Sequence, residues 1–349
     1  MQAWFPEGFV FTWALCGLTH VQVGLRATPS APRPASGGRR ARAASPPSSP
    51  PTRPGALRTN DQPPSAQPLP GVVQLAARGL LLDGPEARDR AEVEGASRPP
   101  APPSPRALER QGPYPPSYPG QAWPADAVVA AASLRLHDTL LPPRHGATLQ
   151  RWLAAVDAAR DAYGLIPHSA HSRHGGTPAR GSSQALILRF LYEIDPDRAL
   201  ADYRLFRRRH VTTVALLPAI REYALGMEGR ADVDSGPLIG GASAPAMVVG
   251  MGTAQLFSDR ALVDPLLHTL EFVGFPLPFG GKRYAFGMLP VGDAFLAWSK
   301  TATPWTRPVH REGWPEVVSA GYRLPWHALL VLLLGLVWLG PVRRWLRGH

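Results

Sequence analysis

Apolar residues recur at helical spacing over most of the chain beyond residue 122. "DAVVAAASLRLHDTLL" (126–141) reads as one helix opened by Asp126 as N-cap after Pro124. "GATLQRWLAAVDAARDAYG" places Leu149, Trp152, Leu153, Val156, Ala159 and Tyr163 on one helical face. "GSSQALILRFLYEI" (181–194) predicts a buried helix capped by Ser182 or Ser183. "DPDRALADYRLFRRRHV" starts on an Asp195 N-cap with Pro196 at the first helical position, and its stripe is Leu200, Tyr203 and Phe206. The small-residue run after Pro237 predicts a fifth helix. "SDRALVDPLLHTLEFVG" predicts a sixth, its start delayed by Pro265, and "PVGDAFLAWSK" (290–300) a seventh. No segment shows the alternation of a strand.

The first helix of each pair starts near 126, 180, 234 and 290, and an apolar helix precedes a more amphipathic one. This predicts an all-α fold, an array of about four helical hairpins over 118–305 with inner helices buried on all sides. "LPWHALLVLLLGLVWLGPV" (324–342) holds no acidic or Lys/Arg side chain. At about 1.5 Å per residue it matches a bilayer's hydrocarbon core. A membrane is thus an expected partner. The basic tail 343–349, with Arg343, Arg344 and Arg347, points to a cytoplasmic C-terminus and an outward-facing helical domain.

Composition separates the first third of the chain from the rest. Of 41 prolines, 24 precede residue 126, and 26–117 reads as a Pro/Ala/Arg-rich disordered linker that cannot bury enough apolar surface to offset chain entropy. A reading frame opened upstream of the true start would look the same. Residues 1–25 contain a weak apolar stretch (8–25) that makes a poor signal peptide but a conceivable short anchor. The single Cys16 excludes an internal disulfide framework and a Cys-based zinc site. The net charge of +11 is spread without a basic stripe. Residues 1–113 carry 13 Arg against 8 acids, and "RLFRRRH" (204–210) reads as a solvated helix face, so nucleic acid is not an expected partner.

In a hairpin array the links between pairs lie at one end. Here they are the polar stretches 118–126, 166–183, 229–237 and 280–287, which would meet on one rim. Asp126, Ser183 and Asp234 each make sense as helix caps. Asp232 is not needed as a cap if Asp234 or Ser235 serves, which makes it the stronger acid/base candidate. His168, His171 and His174 lie among Ser, Gly and Pro, so their spacing is no helical ligand set, and no metal or cofactor is expected. His137 and Asp138 read as a proton-transfer pair or a satisfied core pair. Arg180 before Ser182 and Ser183 reads as an anion clamp or as the partner of a rim aspartate.

"YPGQAWPADAVVAAASLRLHD", "GLIPHSAHSRHGGTPARGSSQALILRFLYEID" and "REYALGMEGRADVDSGPLIGGASAPA" resemble a group of bacterial membrane-associated proteins. That group is distantly similar to linalool dehydratase/isomerase-type and other α/α-toroid domains. The resemblance covers about 118–300. It implies a partial toroid and roles for Asp126, Asp232 and Asp234 as general acids and bases; beside them, His168 is a further candidate for catalysis, and Trp123, His137, Asp138, Arg180, Ser182 and Ser183 are candidates for binding. The implied ligand is a carbohydrate or an isoprenoid or lipid alcohol. A full toroid needs six hairpins, so a partner chain completing the ring is a further implication. The alternative reading is a non-catalytic envelope protein binding a glycan or a protein partner in an open groove.

Overall fold

The computed structural model describes residues 15–23, 108–109, 112–116, 122–170, 176–277, 281–307 and 320–347. The fold is mostly helical. Helix α1 covers residues 15–23, followed by α2 (Pro124–Leu140), α3 (Gly146–Ala158), α4 (Gly181–Ile194) and α5 (Pro196–His210). Two short hairpins come next, β1 (Val211–Val214) with β2 (Leu217–Ile220) and β3 (Leu238–Ile239) with β4 (Ala242–Ser243), both antiparallel. Then follow α6 (Ala244–Leu256), α7 (Arg260–Val273), α8 (Pro290–Lys300) and α9 (Ala320–Arg347). The strands correct the expectation of none.

The apolar stripes fall where the periodicity places them. Leu149, Trp152, Leu153 and Val156 of α3 are buried, as are Tyr203 and Phe206 of α5. Helix α2 packs on α4, α4 on α6 and α6 on α8, while α5 packs on α4 and α7 on α6. Asp195 alone joins α4 to α5 and, as expected, accepts from the Arg198 N–H as N-cap. Small residues let the central row close up: a Cβ on Gly252 of α6 would press on the backbone of Ser299 in α8.

Several boundaries differ from expectation; α3, for one, ends at Ala158, which leaves Ala159 and Tyr163 beyond it. Helix α6 starts at Ala244, capped by the Ser243 hydroxyl accepting from Ala246 N (3.3 Å), because residues 238–243 form the β3–β4 hairpin. Helix α7 starts at Arg260 on an Asp259 cap and carries Pro265 inside it. The packed body also reaches further back than residue 118. The Trp152 indole donates to Pro113 O (2.9 Å), and Leu108 and Tyr114 are buried. Leu15, Leu18 and Val21 of α1 belong to the core, which corrects the reading of this stretch as an anchor. Residues 24–107 lie outside the described residues.

The body has two distinct ends. At one, Gln255 near the end of α6 donates to Ala302 O beyond α8 (2.9 Å), and Glu193 near the end of α4 accepts from Trp305 N and Thr306 N (3.0 and 3.1 Å). The starts of α4, α6 and α8 lie at the opposite end. Helix α7 returns to that end, where Ala285 N donates to Gly274 O (2.6 Å) and Tyr284 N to Asp293 of α8 (2.9 Å). Helix α9 contains one apolar stretch able to cross a membrane, His327–Trp345, of which none is buried.

Candidate functional site

The start of α4 is built by a remote segment rather than by its own serines. Glu222, just past β2, is fully buried. Its backbone oxygen accepts from Gly181 N (2.6 Å), and its carboxylate accepts from Ser182 N (3.2 Å) and the Ser182 hydroxyl (2.7 Å). A carboxylate at this position meets orphan N–H groups and the positive end of the helix dipole. Gly181 is required by the close approach: a Cβ there would land on the carbonyl oxygen of Arg221. The expected Ser182 or Ser183 cap is therefore replaced. Arg180 is the N-cap residue without a capping side chain, and Ser183 donates back to Arg180 O (3.1 Å).

Arg180 is the hub of the cluster. Its side chain is buried, with Nε 3.0 Å from Glu222 Oε1 and Nη1 donating to Asp232 Oδ2 at 2.5 Å. Nη1 also lies 3.2 Å from His168 Nε2, and the guanidinium sits 5.0 Å over the Tyr223 ring. Trp123 stands edge-on to His168 with centroids 5.1 Å apart. Nη2 is buried and meets no acceptor among the described residues. The buried guanidinium keeps its charge: burial alone would lower its pKa, but Asp232 and Glu222 raise it.

Asp232 has two obligations. Besides Arg180, it closes its own turn, with Oδ1 accepting from Ser235 N (2.9 Å) and Asp232 N donating to the Ser235 hydroxyl (2.9 Å). Burial raises its pKa, yet the hydrogen bonds from Arg180 and Ser235 outweigh that and hold the carboxyl below the usual range. Asp232 is thus not the cap of the next helix, but it is tied to its own turn and to Arg180. Asp234 is not the cap of the next helix, since Ser243 serves there, and it lies exposed in the 233–235 turn. Asp126 is not an N-cap either. Helix α2 begins at Pro124 after Trp123, and Asp126 sits half-buried in the first turn, its N–H bonded to Trp123 O (3.0 Å).

The structure thus gathers Trp123, His168, Arg180, Ser182 and Asp232, with Asp126 and Ser183 one turn away. His171 and His174 lie outside the described residues. His137 and Asp138 are not part of this cluster: they lie near the end of α2, about 21–22 Å from Trp123 at roughly 1.5 Å per residue. There Asp138 accepts from Arg144 N (3.1 Å) and His145 N (2.9 Å), and from His137 Nδ1 (3.1 Å). His137, Asp138 and His145 offer ligand atoms within 4.8 Å of one another, donor types suited to a divalent metal. Both Asp138 oxygens already hold the entry to α3, so the pair reads first as a satisfied structural one.

Sequence reasoning missed Glu222 and Tyr223. Both lie in the quoted stretch "REYALGMEGRADVDSGP", but only the fold brings them under Arg180. No protein-family model matches the chain, and no curated protein matches it.

Proposed function

We propose that the chain is a membrane-anchored helical-hairpin protein whose rim groove binds a hydroxylated ligand, a carbohydrate or an isoprenoid or lipid alcohol. The observation that carries this reading is Arg180, a buried cation with a donor still to spend, set among Trp123, His168, Tyr223 and Asp232. Unspent donors beside aromatic faces suit a ligand with an apolar body and a polar head. An ionised, partly open Asp232 accepts hydrogen bonds well and donates a proton poorly, which favours binding over turnover. A second reading, acid/base catalysis on the same ligand class, is favoured by His168, buried beside Arg180, with Asp126 in the first turn of α2. In this proposal the hairpins form a partial α/α toroid, open as a groove or completed by a partner chain. Arg343, Arg344 and Arg347 support a cytoplasmic C-terminus, with the body on the outer face of the inner membrane. Binding of farnesol and of glucose to the detergent-solubilised full chain, followed by Trp fluorescence, tests it. Arg180→Gln should weaken the bound ligand at least about tenfold, the usual scale of a lost charged hydrogen bond, while Thr139→Ala, exposed at the far end of α2, should leave it unchanged. Equal binding by both variants sinks the proposal.

A further inference from the structure

The rim lies at the end of the body from which α9 departs. His327, at the start of the apolar run, lies 2.9 Å through Nε2 from Phe272 O, and its ring stacks on Phe275 with centroids 3.9 Å apart. Phe272 and Phe275 flank the end of α7, beside the starts of α6 and α8. Glu222 ties the start of α4 to Gly241 at the start of α6 (Glu222 N to Gly241 O, 3.0 Å), so Arg180 and Asp232 share that end.

The same end carries the body's exposed apolar side chains. Among the described residues outside α9, nine large apolar side chains are exposed, and eight of them, all but Val23, lie on segments at this end. Leu216 at the β1–β2 turn is 94% exposed, Val233 in the Asp232 turn 82% and Ile239 70%. Val273, Phe286 and Met288 continue the surface beside α9. Among the described residues the far end has no comparable set. A water-facing surface rarely concentrates its apolar side chains at one end, whereas loops at a membrane interface do so as a rule, because each apolar side chain gains by leaving water.

We infer that this end of the body rests on the bilayer that α9 spans, with the 215–216, 233, 239 and 286–289 loops seated in its interface. The rim groove then opens onto the lipid surface. Resting on the rim-binding reading above, its ligand is a membrane-borne amphiphile whose polar head reaches Arg180, rather than a solute from water.

The test uses full chain in phosphatidylglycerol nanodiscs, with Cys16→Ser and one new cysteine carrying a polarity-sensitive bimane: Met288→Cys, Val233→Cys, or Thr139→Cys at the far end. Labels at 288 and 233 should emit at shorter wavelength and be quenched by shallow doxyl lipids at least threefold more than the label at 139. Equal quenching at both ends overturns the inference. So does a blue shift without doxyl quenching that fades on dilution, which would mark contact with a second copy or another protein. This readout needs no ligand, so it stands or falls apart from the rim reading. For the ligand class, farnesyl phosphate in the bilayer should perturb the label at 233 at concentrations at least tenfold below inorganic phosphate. No preference between the two overturns the membrane-borne assignment.

Discussion

At the residue scale, two acidic residues twelve apart exchange the roles their local sequence suggests. Asp234 stands ahead of a Gly-Pro pair like a helix cap, but the helix starts at Ala244 and Ser243 serves it. Glu222 sits in a stretch with no helix of its own, yet it caps α4 and balances buried Arg180. Asp234→Ala should therefore change stability by less than about 0.5 kcal/mol, the size typical of surface positions. Glu222→Ala leaves Ser182 N–H, the Ser182 hydroxyl and part of the Arg180 charge without a partner in a buried site. Breaking a buried ion pair in this way costs about 3–5 kcal/mol. Denaturant unfolding in detergent measures both, and a larger loss for Asp234→Ala than for Glu222→Ala would overturn the assignment.

At the element scale, the helices were legible and the hairpins were not, for different physical reasons. Helical periodicity is written into α2 to α5 because each must turn one face to its neighbours, and Asp195-Pro196 is a local start signal that the fold obeys. The β1–β2 hairpin carries no such signal. Its two-residue turn holds Ala215 and Leu216 at φ 48° and 67°, a left-handed pair normally supplied by Asn-Gly, so nothing in "VTTVALLPAI" announces it. The rim shows the same division. Arg180, His168 and Asp232 stood out as polar residues in the links, but Glu222 and Tyr223 acquire their meaning only from contacts that β2 creates. Left-handed backbone costs a residue with a Cβ about 1–2 kcal/mol. The double substitution Ala215→Asn with Leu216→Gly should therefore raise stability in detergent by about 1–2 kcal/mol, read as a higher unfolding midpoint. An unchanged or lower midpoint would mean that the hairpin does not rest on this turn geometry.

At the scale of the whole molecule, two buried titratable groups far apart in sequence weaken the body on acidification, against Glu193 and Asp202, whose carboxyl pKa burial raises and which act in the opposite direction. Glu271 of α7 is buried and receives Lys282, Lys300 and the Tyr284 hydroxyl, gathering the chain's only two lysines where α7, α8 and the 281–287 loop meet. Burial alone would raise its pKa, but these donors hold it near 2, against an ordinary 4.5. His210, which ends α5, is buried against Phe206 with Nδ1 3.2 Å from Arg221 O, and burial pushes its pKa down to about 4 from 6.5. In both cases the unfolded chain takes up a proton at a pH where the native chain does not, so stability rises with pH across each window. The loss on acidification should come in two limbs. The first runs from about pH 6.5 to 4 and belongs to His210, with a contribution from His145, which burial also keeps neutral. The second runs from about 4.5 to 2 and belongs mainly to Glu271. His210→Gln, which retains a donor toward Arg221 O, should flatten the first limb and spare the second. Glu271→Gln should lower stability at pH 7 and flatten the second limb only. Unfolding midpoints of the solubilised full chain between pH 7 and 3 decide this. A first limb of full depth in His210→Gln would show that the rim end is not held together by a neutral imidazole.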